Sequence, residues 1–139
     1  MSVATILLPL FVQVALTFVV LFMTARSRIA AYKARQVNVA EVAVNPTAWP
    51  VHVQQIANCY NNQFQLPVLF YVAATLAFLI GPIGWPEALL VWAFVALRYV
   101  HAFIHVTTNH VVSRFAAYAG GLAVLALFWL WLVIRILMS

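Results

Sequence analysis

An all-α integral membrane protein, a bundle of four helices, is the fold class this sequence predicts. Two observations predict it. Hydrophobic residues make up 67% of the 139 residues, charged residues only 6%, and the mean hydropathy is +1.05. A soluble domain carries about 25% charged residues and about half apolar ones. The apolar residues also gather into four stretches, each suited to the roughly 20 residues that cross a bilayer as a helix. Four such helices take about 80 residues, which leaves short connections, one longer loop and no room for a separate soluble domain. The chain therefore reads as a single transmembrane domain over residues 1–139.

The composition excludes a soluble globular enzyme, a disordered chain and a nucleic-acid-binding domain. The pI near 10 comes from seven Lys and Arg against two acids, too few cations to track a phosphate backbone. Cys59 is the only cysteine, so neither an intrachain disulfide nor a cysteine-based metal cluster can form.

The first helix is expected at about residues 4–25, a run without charge. It lacks a basic leader segment and is followed by its cations, so it reads as an uncleaved span and not a signal peptide. Asn45-Pro46 and Trp49-Pro50 punctuate the loop after it. The second helix is expected as one element over about 51–80, about 45 Å long, kinked at Pro67, which removes a hydrogen bond and crowds the preceding turn. Gly81-Pro82-Ile83-Gly84 is a tight link. The third helix is expected at about 87–109. Pro86 and Glu87 suit its first turn, where a missing N–H costs nothing and an acid meets the positive dipole end. The fourth is expected at about 114–137 with Ser113 as its cap.

Charge orients these spans. Arg26, Arg28, Lys33 and Arg35 lie in the first connection, Arg114 in the third, and no Lys or Arg in the second. The positive-inside rule then puts the first and third connections in the cytoplasm and both termini outside, against a single opposing Arg135. Trp85, Trp129 and Trp131 fit an aromatic belt on the outer side.

Two polar faces interrupt the apolar pattern. Asn58, Asn62 and Gln65 share one helical face, extended by Gln55. Such amides inside a membrane protein bond to other helices or line a wet cavity. On the third helix Arg98, His101 and His105 share a face, with Arg98 near mid-membrane depth. A charge there costs roughly 3 kcal/mol even on a lenient scale, so it needs a partner. The only acids are Glu41, in the first loop, and Glu87, about 16 Å along the helix. Two arginines without an acid, Arg98 and Arg114, with two histidines, point to an anion site. The competing reading makes Arg98 a structural bolt held by carbonyls, Gln65 or tyrosines. The His101 and His105 spacing would suit a metal, but no acid or cysteine completes a shell, so no metal is expected. In the fourth helix Ala116/Gly120 and Ala117/Gly121 are small pairs that permit close packing.

These segments together resemble the MAPEG family, the membrane-associated proteins in eicosanoid and glutathione metabolism. Asn62-Gln63-Phe64-Gln65-Leu66-Pro67 is similar to that family's Asn-x-x-Glu motif followed by proline on helix two. Arg98-x-x-His101-x-x-x-His105, with Arg114 nine residues later, is similar to its Arg-x-x-His-x-x-x-Tyr run and the arginine opening helix four. The resemblance implies a homotrimer with glutathione bound between subunits on the cytoplasmic side and a lipophilic substrate arriving from the bilayer. It implies that Asn62 and Gln65 lie in or beside that pocket, that Arg98 and His101 support it, and that Arg114 is the residue that stabilises the glutathione thiolate; His105 and Asn109 are further candidate ligand-binding residues. An arginine beside a thiol favours the thiolate, which is the nucleophile. The His-Val-Thr-Thr-Asn run ending at Asn109 resembles the bacterial branch, which implies an inner-membrane location.

Gln65 stands where the family commonly has Glu, and His105 where its best-studied members have Tyr. The site is thereby more cationic. The leading expectation is a glutathione-dependent transferase or peroxidase acting on lipophilic electrophiles. The alternative is a non-catalytic lipid- or anion-binding membrane protein. A channel or transporter has no broken helix pair or inverted repeat behind it.

Overall fold

The computed structural model describes residues 3–138. The chain forms α1 (Ala4–Lys33), α2 (Val39–Val42), a single 3-10 turn (Pro46–Ala48), α3 (Val51–Asn62), α4 (Leu66–Ile80), α5 (Trp85–Val106) and α6 (Val111–Leu137). The described residues contain no strand. Four units are long and apolar enough to cross a membrane: α1, α3 with α4, α5 and α6. The all-α four-helix membrane bundle expected from the sequence is the fold observed.

The ends of the helices differ from the expected ones for local reasons. α1 runs on to Lys33, because Ala, Arg and Lys after Ala25 are good helix formers although the apolar pattern has stopped. It closes with Gln36 N–H donating to Ala31 O and Arg35 N–H to Tyr32 O, both at 3.0 Å. Arg35 takes the left-handed conformation (φ 55°) that glycine usually supplies in this closure. Arg26, Arg28 and Lys33 thus ride on helix and not on loop.

The single kinked helix expected over 51–80 is instead two helices. Pro67 is the second residue of α4, where its missing N–H is harmless. Within one continuous helix its ring would crowd the Gln63 carbonyl. The chain therefore closes α3 with tight turns, Gln63 N–H to Tyr60 O (2.9 Å) and Phe64 N–H to Asn61 O (3.1 Å), and restarts at Leu66.

α5 starts at Trp85 and ends at Val106, short of the expected 109, because Asn109 adopts a left-handed φ of 51°. The cap of α6 is His110 and not Ser113: the His110 Nδ1 accepts the Ser113 backbone N–H at 3.3 Å. Glu87 accepts the Gly84 N–H at 3.0 Å and closes the first turn of α5.

The core sits where α1, α4, α5 and α6 meet, around Ile6, Phe70, Ala73, Phe94, Leu125 and Phe128. Phe70 and Phe94 stack with centroids 4.6 Å apart. Ala73, Ala74 and Ala77 are fully buried and let α4 approach its neighbours closely, as membrane packing requires. At the opposite end of α5, Glu87 pairs with Arg135 (2.6 Å) and accepts from Trp131 Nε1 (2.8 Å), joining α5 to α6.

Candidate functional site

The break between α3 and α4 builds the site. It leaves the Asn62 carbonyl at the end of α3 with only a long backbone bond, from the Gln65 N–H at 3.4 Å, and Arg98 of α5 reaches it. Arg98 Nη2 donates to Asn62 O at 3.2 Å and to Asn62 Oδ1 at 2.8 Å. The guanidinium thereby caps the carbonyl end of α3, where a cation suits the dipole. Arg98 is 1% exposed, and its Nε and Nη1 have no protein partner. The other side of the Asn62 amide, Nδ2, donates to Gln65 Oε1 at 3.0 Å.

One helical turn along α5 from Arg98, His101 is buried with Nδ1 3.1 Å from the Arg114 carbonyl. A carbonyl only accepts, so Nδ1 carries the hydrogen. Nε2 of His101 has no protein partner. His105 lies edge-on to His101, centroids 5.6 Å apart, and Tyr118 lies 5.8 Å from His101 on the other side. Arg114 sits in the first turns of α6, where Asn109 Oδ1 accepts from its Nη1. Gln55 fastens α3 beneath this region, donating to His105 O at 2.8 Å.

The space between these groups is a cavity of about 280 Å³ lined by Asn62, Gln65, His101, His105, Arg114 and Tyr118, with Val111 and Phe115 as its apolar side. No carboxylate lines it. A larger cleft of about 490 Å³ near Trp49 has only Arg28 as a charged lining group, so it lacks convergent polar groups.

Residues 6–136 match the sequence model of the MAPEG family. The chain belongs to that family. It is accordingly a membrane protein of the glutathione and eicosanoid metabolism family. No curated protein and no solved structure matches it.

Five residues singled out on the MAPEG resemblance meet in the one cavity: Asn62, Gln65, His101, His105 and Arg114. Two others stand behind it. Arg98 acts on the cavity wall through Asn62, and Asn109 acts through Arg114. Among the described residues no three metal-ligating side chains come together. Sequence reasoning missed Tyr118, Val111 and Phe115. Tyr118 lies four residues past Arg114, so the helical spacing already put it on the same face. It also missed Gln13, fully buried in α1, whose Nε2 donates to Gln63 Oε1 at 3.2 Å and ties α1 to α3 behind the site.

Proposed function

We propose that this protein binds glutathione in the cavity between α3, α4, α5 and α6 and transfers it to lipophilic electrophiles. The observation that carries the reading is the lining itself. One guanidinium, two imidazoles, two amides and a phenol converge without any acid, beside the apolar pair Val111 and Phe115. Such a lining favours a ligand with more than one carboxylate and a sulfur that reacts as an anion. Arg114 stabilises the thiolate, which attacks the electrophilic carbon and expels its leaving group as an anion. Asn62 and Gln65 hold the peptide, with Arg98 and Asn109 positioning Asn62 and Arg114.

At about 280 Å³ the cavity lies at the small end for an organic ligand, which fits a site completed by a neighbouring subunit of a homotrimer. The polar end faces the cytoplasm, both termini lie outside, and the location is a bacterial inner membrane. The second reading, a non-catalytic lipid- or anion-binding protein, is favoured by Gln65. Its neutral amide is spent on Asn62 and leaves no negative charge for the glutathione ammonium.

A thermal-shift titration of the purified protein with glutathione tests the binding, and conjugation of a model aryl halide tests the chemistry. Stabilisation with turnover supports the enzyme, and stabilisation alone supports the binder. No shift with glutathione or other small anions removes the glutathione and anion readings and returns Arg98 to a structural bolt. Native mass spectrometry giving only monomer or dimer would remove the intersubunit site.

A further inference from the structure

The turn between α3 and α4 is held from two sides. Its backbone closes by tight bonds alone, the last of them from the Gln65 N–H to Asn62 O at 3.4 Å. Side chains of other helices therefore fix where the turn stands. Arg98 of α5 takes Asn62. Gln13 of α1 takes the next residue: its Nε2 donates to Gln63 Oε1 at 3.2 Å. Gln13 and Gln63 are both buried.

A third group sets the direction of that bond. Gln63 Nε2 donates to the Cys59 carbonyl at 3.1 Å. A carbonyl only accepts, so the Gln63 oxygen is the end that faces α1, and Gln13 presents its amide N–H. Gln13 is the only amide in the uncharged run from Ala4 to Ala25, about 14 Å from its start at 1.5 Å per residue. At that depth a bare amide is costly, and Gln63 supplies its partner.

The anchor on α1 is itself pinned. Tyr99 Oη of α5 donates to the carbonyl of Val12, the residue before Gln13, at 2.8 Å. Three pairs of sequence neighbours are thus tied together: Arg98 and Tyr99 on α5, Asn62 and Gln63 at the turn, Val12 and Gln13 on α1. Arg98 bonds Asn62, Gln63 bonds Gln13, and Val12 bonds Tyr99. The links close a ring through three parts of the bundle. One side of that ring is the wall of the cavity, which Asn62 and Gln65 line and Gln13 does not.

We propose that Gln13 is a positioning residue of the candidate site: from α1 it holds the turn at Gln63 and so sets where Asn62 and Gln65 stand in the cavity wall. Its effect on a ligand rests on the glutathione reading; its hold on the turn does not.

Two measurements on the full-length protein in mild detergent test it, backbone hydrogen exchange and calorimetric titration with glutathione. Gln13→Leu should speed exchange of the Phe64 and Gln65 amides about fivefold, the factor equivalent to one neutral hydrogen bond, and leave α6 unchanged. It should weaken glutathione binding by a similar factor. Where conjugation is seen, the loss should fall on KM and not on kcat, because Arg114 is untouched. Tyr99→Phe removes one hydroxyl from the ring. It should act in the same direction with a smaller effect, and it stands in if Gln13→Leu does not fold. Glu87→Gln, a destabilising change at the other end of the bundle, should lower the melting midpoint and move neither readout. Natural exchange rates at Phe64 and Gln65 in the two ring variants would overturn the proposal. So would an equal rise in Glu87→Gln, which marks a general softening. Faster exchange with glutathione affinity unchanged would overturn it too, since the turn would then move without moving the site. If the natural protein binds no glutathione, the glutathione reading falls, and the exchange rates alone decide the role of Gln13.

Discussion

Arg98 holds Asn62 twice, by its backbone carbonyl at 3.2 Å and by its side-chain oxygen at 2.8 Å. Within a bilayer an under-satisfied carbonyl is costly, and the break imposed by Pro67 leaves Asn62 O only the Gln65 N–H, at 3.4 Å, as a backbone donor. The arginine is therefore both the cap of α3 and the brace of a cavity wall.

This pairing predicts a stability effect separate from any ligand. Arg98→Met should destabilise the protein by about 2–3 kcal/mol, the scale of lost hydrogen bonds to a charged group plus an orphaned acceptor. Arg98→Lys should recover only part, because a point charge does not reproduce the fork. Thermal unfolding in detergent without glutathione measures both. An unchanged midpoint in Arg98→Met would remove the capping role.

Arg114 and Asn109 separate contact from positioning. Arg114→Met should weaken glutathione binding by about 1.5–3 kcal/mol. Asn109→Gly keeps the left-handed backbone at φ 51° but drops the side chain that holds Arg114. It should leave the melting temperature nearly unchanged while weakening binding by a smaller amount, about 1 kcal/mol. Calorimetric titration of both variants checks this. Equal binding by Asn109→Gly and the natural protein would show that Arg114 needs no brace.

Much of this arrangement was legible because it is carried by single-helix spacing. The apolar runs gave four spans, and the Arg98, His101 and His105 face did bring both histidines to the cavity with Arg114. What escaped depends on partners distant in sequence or on missing signals. Gln13 is an isolated amide in an apolar run, and its meaning comes from Gln63, fifty residues on. The end of α1 lacks the glycine that announces such a closure, since Arg35 occupies the position. Pro67 was read correctly as a disruption but wrongly as a kink, because a first-turn proline and a mid-helix proline differ only by where the preceding helix stops.

Glu87 and Arg135 supply a test at the other end of the bundle. Glu87 is 1% exposed, and its Oε1 accepts from Arg135 and from Trp131. Glu87→Gln should cost about 2–4 kcal/mol, below the full cost of breaking a buried pair because Arg135 is partly exposed. Arg135→Met should cost less. The double variant should lose less than the two losses summed, since each single change already breaks the pair. Strict additivity in the melting data would show the pair to be uncoupled.

The orientation prediction rests on where the cations lie. α1 ends in Arg26, Arg28 and Lys33, whereas Arg135 at the other end is engaged by Glu87. In a Cys59→Ser background, an impermeant thiol reagent applied to intact cells should label Pro82→Cys and spare Lys33→Cys. The opposite pattern would invert the protein in the membrane.

Gln65→Glu is the change that separates the two functional readings. Gln65 Oε1 now accepts from Asn62 Nδ2, whose other side is held by Arg98. A glutamate can keep that hydrogen bond, so the wall of the cavity should stay in place. What changes is one negative charge in a lining that has none. A close opposite charge is worth about 4 kcal/mol at an effective dielectric near 20, before desolvation offsets much of it. Two cations compete for the new carboxylate, the glutathione ammonium and Arg114. Capture of the ammonium should tighten glutathione binding and leave Arg114 free for the thiolate. Capture of Arg114 should weaken binding and slow any conjugation. Titration calorimetry and aryl halide turnover, measured on the same preparations, tell these apart. A natural protein without turnover and a variant that gains it would make the natural protein a specialised binder. Turnover in the natural protein, unchanged or lower in the variant, would show that the amide at Gln65 serves the site as it stands and that the missing charge is no defect.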